Sequence, residues 1–147
     1  MLRAEALVRR EGWIAPYPSD RIFFPAAIIF GVEQDYLDTH IVPFMKQNGI
    51  IAVSVPGLQK DLTEGIPAVL QPFWEEHMSF HSSEWWRALW KLSPDITIEH
   101  YFSHTRHSDA WNDWLQSSNP HAQDDISMIE AENGEYFDTI GLVATVH

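Results

Sequence analysis

Ile50 to Val55 reads IIAVSV, a run of apolar or small residues with no charge and no helical spacing. Such a run suits a strand buried on both faces, as in a parallel sheet covered by helices. Pro56 and Gly57 come next, and the pair predicts an abrupt stop. In open α/β sheets, ligands bind just beyond the carboxyl ends of strands of this kind. The run therefore points to an α/β fold with a ligand site above Pro56 and Gly57.

The rest of the composition narrows what that site can be. At 147 residues, with 45% hydrophobic content, the chain is long enough for one domain with its own core. Seven Trp and eight Phe need a core or a partner to cover them. Without cysteine there are no disulfides, thiolate metal ligands or cysteine nucleophiles. Nine basic against twenty-one acidic residues give a net charge of −12, which argues against a nucleic-acid partner, since phosphate binding needs clustered Lys and Arg. No window approaches the roughly 18 apolar residues of a membrane span. The opening MLRAEALVRREG is too charged for a signal peptide, so a cytoplasmic chain with no membrane partner is expected.

Along the chain, Leu2 to Arg10 suits a short helix, and Arg21 to Phe30 suits a buried strand despite Pro25 at its centre. Glu33 to Lys46 has Tyr36, Leu37, His40, Ile41, Phe44 and Met45 at helical spacing, with Asn48 and Gly49 as a C-terminal stop. Lys60 to Trp90 is again helical in pattern, broken at Gly65, Pro67 and Pro72; Ser82 or Ser83 is the N-cap before Trp85 and Trp86. Ile96 to Ser103 and Phe137 to Val146 read as strands. Between them, Asp109 is expected to cap a short helix, Asn119-Pro120 to make a turn, and Ser127 to Ala131 to form another short helix. There are no repeats and no linker, so residues 1–147 read as a single domain.

Familiar catalytic patterns are missing. The chain has no HExxH, GxSxG, Walker loop or GxGxxG, and its seven glycines are scattered. The histidine pairs His77/His81 and His100/His104 are spaced by four, as a shared metal requires on a helix. Pro72 and the serines argue against an unbroken helix through the first pair, and the second lies on a predicted strand. Hydrogen-bonded structural histidines are the preferred reading, and no metal is expected. The stretch SFHSSEWWRALW reads either as an aromatic platform for a ligand or as a helix whose indoles pack on the sheet, and packing is preferred.

Four segments in order carry a resemblance: FGVEQDYLDTHIVPFMKQNGIIAVSVPGL, PFWEEHMSFHSSEWWRALW, AWNDWLQSSNP and MIEAENGEYFDTIGLVAT. Residues 30–147 resemble the C-terminal half of a bacterial class I S-adenosylmethionine (SAM)-dependent methyltransferase, with 1–29 a divergent N-terminal segment. The resemblance implies part of a Rossmann-like sheet of about three to four strands flanked by helices. Ile50–Val55 would be its fifth strand, Ile96–Ser103 its sixth and Phe137–Val146 its seventh, the last two an antiparallel pair. It also implies an acceptor pocket near Phe30, Gly31, Pro56, Gly57, His81 and Trp85. In such enzymes SAM is held by a Gly-rich loop after the first strand and an acidic residue ending the second. Neither precedes Phe30, and residues 1–29 cannot supply three βα units at roughly 30 residues each.

The expectation is therefore a truncated methyltransferase that offers the acceptor side of the site and does not bind SAM alone. It would be completed by a homo-oligomer or by a chain supplying the missing half. The competing readings are a non-catalytic module that self-associates through a free sheet edge, and a histidine-metal hydrolase. The catalytic residues and the cofactor-binding residues are not assigned.

Overall fold

The computed structural model describes residues 19–25, 31–75 and 78–147. The helix expected over Leu2–Arg10, the end of the strand expected over Arg21–Phe30, and Phe30 and His77 lie outside them.

A mixed four-stranded sheet organises the chain. Its strands are β1 (Ser19–Pro25), β2 (Met45–Leu58), β3 (Ile96–Ser103) and β4 (Phe137–Val146), in spatial order β1–β2–β4–β3. β1 runs parallel to β2, whereas β4 is antiparallel to both β2 and β3. The helices are α1 (Ser83–Trp90), α2 (His107–Leu115) and α3 (Pro120–Glu132). The architecture is α/β, and the strands aligned by resemblance as fifth, seventh and sixth lie side by side in that order.

Ile50–Val55 lies within β2, but the strand does not stop at Pro56 and Gly57. Those residues pair with Thr139 and Asp138, and the strand continues to Leu58. A proline is tolerated in this inner strand because of where its nitrogen points. Leu58 donates its N–H to His81 O (3.1 Å), away from β4, while Gln59 donates to Tyr136 O on the β4 side (2.9 Å). Pro56 has the parity of Leu58 and also faces away from β4, where β1 has already ended at the Pro25–Ser54 pair.

β2 is not buried on both faces either. Ile51, Val53 and Val55, with Ile140, Leu142, Ala144 and Val146 of β4, form the buried face, covered by Trp86 and Trp90 of α1. The other face is half-open: Ala52, Ser54 and Val143 are partly buried, and Ile50 and Phe102 are 38% and 41% exposed. The strand was expected to be buried on both sides because Ala52 and Ser54 are small, but a small residue needs little cover. Here β2 alternates as half-buried strands do.

The helix expected over Glu33–Lys46 is replaced by a π-helical turn, Leu37–Ile41, and a 3-10 turn, Val42–Phe44. Pro43 is the reason, since it lacks the N–H that an α-helix needs and its ring clashes with the preceding turn. The apolar period survives: Leu37, Ile41 and Met45 are all buried in the main cluster. Asn48, with φ of 61°, turns the chain inside β2 instead of ending a helix. Register explains this, because Ser19 faces Met45 and Arg21 faces Ile50, so residues 46–49 have to loop out of the pairing.

The expected helical pattern over Lys60–Trp90 is realised only in α1. Among the described residues of segment 59–82 there are only turns and irregular backbone, with breaks at Gly65 (φ 95°), Pro67 and Pro72. α2 starts at His107 rather than at Asp109, which sits inside its first turn bonded to Arg106 (Nε–Oδ2, 2.7 Å). α3 begins at Pro120, a residue suited to a first helical position, and so runs well beyond Ser127–Ala131. A second apolar cluster of Leu58, Leu70, Met128 and Phe137 joins segment 59–82 and α3 to the carboxyl end of β2.

Candidate functional site

The carboxyl end of β2 is bordered by a backbone crossing. The His81 carbonyl accepts the Leu58 N–H on the side of β2 that faces away from β4. Gly57 permits this approach. A Cβ on it would lie 2.6 Å from His81 O and 2.5 Å from Ile140 Cγ1.

Ser82 fixes the next step of the chain. It is buried, and its Oγ accepts the Trp85 N–H (3.2 Å) as the N-cap of α1. The Asp61 carboxylate accepts twice from Ser82, from the N–H through Oδ1 (2.9 Å) and from Oγ through Oδ2 (2.7 Å). Segment 59–82 is thereby pinned to the start of α1 by one acidic side chain.

These constraints orient His81 and Trp85. Their rings stack at 3.6 Å between centroids with planes 9° apart, and Trp86 meets the His81 ring edge-on. His81 Nδ1 is 3.9 Å from Asp61 Oδ1. Burial pulls the His81 imidazole below its ordinary pKa of 6.5, and the Asp61 carboxylate pulls it partly back. The group therefore tends toward the neutral imidazole, with a lone pair available on the ring.

A hollow of about 350 Å³ opens beside this group. Its walls include Leu58, Asp61, Ile66, Trp74, Met78, Phe80, His81 and Trp85. Phe80, one of these, is packed edge-on against both Trp74 and Phe137. The hollow is mainly apolar and aromatic, with Asp61, Thr63 and His81 as its polar residues, the usual constitution of a small-molecule site.

Of the residues singled out from sequence, the structure brings His81 and Trp85 together on this hollow. Gly57 does not line it; it lies against the His81 carbonyl and Ile140. Pro56 is turned to the half-open face beside Thr139, and Gly31 lies under the Tyr36 ring; neither lines the hollow. Phe30 is outside the described residues. Asp61 was not singled out. Its only sequence signal is an acidic residue shortly after the strand end, one of many in an acidic chain.

Two further histidines, His104 and His107, lie against other parts of the sheet. His104 Nε2 is 3.4 Å from Ser54 Oγ on the half-open face, and His107 Nδ1 is 3.0 Å from Thr139 Oγ1. Burial also lowers the His107 pKa, with Asp138 and Glu132 opposing it. Among the described residues no three metal-ligating side chains converge, and no helix is long and apolar enough to cross a membrane. Trp86 and Trp90 are each 1% exposed, so that half of the Trp-rich helix is core; Trp85 alone of its three indoles borders the hollow.

The sequence matches no protein-family model and no curated protein. Similarity is found in the fold. Geranyl diphosphate C-methyltransferase from Streptomyces coelicolor A3(2), solved with Mg2+, geranyl diphosphate and S-adenosyl-L-homocysteine, superposes with a TM-score of 0.60 at 13% identity, over 91% of this chain and 50% of that one. Phosphoethanolamine N-methyltransferase 2 from Haemonchus contortus, solved with S-adenosyl-L-methionine, gives 0.63 at 14%, over 86% and 33%. Coclaurine N-methyltransferase bound to N-methylheliamine and S-adenosyl-L-homocysteine gives 0.59 at 11%, over 88% and 48%. This chain spans about half the length of the first of these, and less of the other two. Identities so low speak for fold alone. The chain thus has the fold of one part of a class I SAM-dependent methyltransferase.

Proposed function

We propose that this chain provides the acceptor side of a SAM-dependent methyl-transfer site, with its acceptor bound in the hollow at the carboxyl end of β2. The observation that carries this reading is position. The hollow stands where ligands bind in open α/β sheets, and the sheet is of methyltransferase type. The acceptor's apolar part rests on Trp74, Phe80 and Trp85. His81, inclined to its neutral form, accepts a proton from the bound acceptor, and Asp61 steadies the imidazolium that results.

The cofactor side is a different matter. SAM supplies an electrophilic methyl group, but the described residues do not fit it. Gly57, at the strand end, has its open side filled by Ile140 and the His81 carbonyl, and Gly65, the one glycine among the hollow's lining residues, stands alone with no Gly-rich loop around it to cradle a ligand. No step is therefore assigned to SAM on this chain, and the cofactor side is assigned to another polypeptide segment or chain.

Calorimetric titration of SAM into the isolated chain, with its mass measured in the same buffer, tests the reading. A flat titration is expected for the chain alone. Micromolar SAM binding by the monomer overturns the division of the site.

A further inference from the structure

The chemistry of the hollow narrows the acceptor. It contains one carboxylate, Asp61, and one imidazole, His81, and among the described residues no Lys or Arg lines it. Asp61 cannot swing its charge away, because Ser82 holds both of its oxygens. The two side chains nonetheless remain 35% and 31% exposed, so a ligand can reach them. Among the described residues His81 is the one basic group within ion-pair range of Asp61, and burial inclines it to neutrality.

A fixed carboxylate without a full cation beside it, bordered by the indoles of Trp74 and Trp85 and the ring of Phe80, is a constellation for positive charge. Aromatic faces attract cations through their quadrupole, and a carboxylate does so through its charge. An anionic ligand meets the fixed Asp61 charge there, and among the described residues no guanidinium or ammonium lines the hollow to offset it. The net charge of −12 acts in the same sense at longer range.

We infer that the hollow selects an acceptor with an apolar body and a positively charged nitrogen, a hydrophobic amine, against phosphate- or carboxylate-bearing molecules. This deepens the acceptor-side reading and rests on it.

The test uses the full chain and three probes of one shape: benzyltrimethylammonium, its uncharged isostere neopentylbenzene, and the anion benzylphosphonate. Indole N–H resonances report binding, with those of Trp74 and Trp85 assigned by substitution. The expected result is that the cation shifts both signals and binds at least about tenfold tighter than the neutral isostere, as a charge meeting an aromatic-bordered carboxylate should. No shift is expected from the phosphonate. Asp61→Asn, which keeps a carbonyl acceptor for Ser82, should bring the cation down to the affinity of the neutral probe and leave that probe within about twofold.

Equal binding of cation and isostere, tighter binding of the phosphonate, or no shift at either indole with any probe overturns the inference. Failure is separable from failure of the methyl-transfer reading. A neutral-selective hollow leaves that reading intact, whereas SAM binding by the chain alone defeats the division of the site without touching the cation preference.

Discussion

Gly57 is kept small from two directions, by a side chain that can yield and a backbone carbonyl that cannot. Ile140 can change rotamer, but His81 O is tied to Leu58 N–H, and Ser82 behind it is tied to Asp61. Gly57→Ala should therefore cost about 2–3 kcal/mol, in the upper range for overpacking. Gly65→Ala is the control of opposite kind. Its Cβ meets nothing within 4 Å, and only the φ of 95° resists it, for about 1 kcal/mol. Urea midpoints of the two variants check the order. The reverse order would mean that the 81–82 crossing is soft, and would remove the support under His81. At this scale the sequence was informative in pairs close along the chain. His81 and Trp85 are four apart and stack at the start of α1, so their proximity is local. Asp61 is twenty positions from His81, and only the closing of segment 59–82 brings it there.

The elements join through polar groups as much as through the core. Glu132, the last residue of α3, is 4% exposed, and its carboxylate accepts N–H bonds from Gly134 (2.8 Å), Tyr136 (3.0 Å) and Phe137 (3.2 Å). Asn133 and Gly134, both at positive φ, curl the chain around it into β4. Glu132→Gln keeps the volume and puts an NH2 group against backbone donors, whichever way the amide lies. It should lower stability by about 2–3 kcal/mol, the scale of hydrogen bonds to a buried charge, and speed amide exchange at Phe137. Wild-type exchange and an unchanged midpoint would show that the turn forms without the carboxylate. Asn133-Gly134 is a turn signal in itself, whereas the carboxylate inside the turn has no such signal, because an acidic chain offers many candidates. The same contrast holds for the larger elements. β3 and β4 were readable to the residue, since β-branched and aromatic content there agreed with flanking turns. The stretch 33–46 was not, because its apolar period was right while Pro43 denied the backbone that usually accompanies it.

For the whole molecule, the two edges of the sheet are unequally protected. β3 carries a register shift between Ile98 and His100, with Glu99 and His100 exposed along it, features that discourage pairing with another chain. β1 pairs in unbroken register with β2 from Arg21 to Pro25, and among the described residues no strand lies on its other side. Its outward N–H and C=O groups are a template for strand addition, stopped only by Pro25 at the end. Ile50 on the neighbouring strand β2, 38% exposed, adds apolar area that a second copy would cover. Each such side chain fully covered contributes roughly 1.5–3 kcal/mol, so a few suffice to offset the cost of association. We therefore expect a dimer or larger assembly, joined through β1, unless a chain carrying the cofactor side of the site takes that edge first. Light scattering at tens of micromolar, roughly where weak interfaces associate, should give at least twice the mass of one chain. Hydrogen exchange should then show the outward-facing amides of Ser19–Pro25 as slow as the inward ones. A stable monomer with fast outward amides would refute the association.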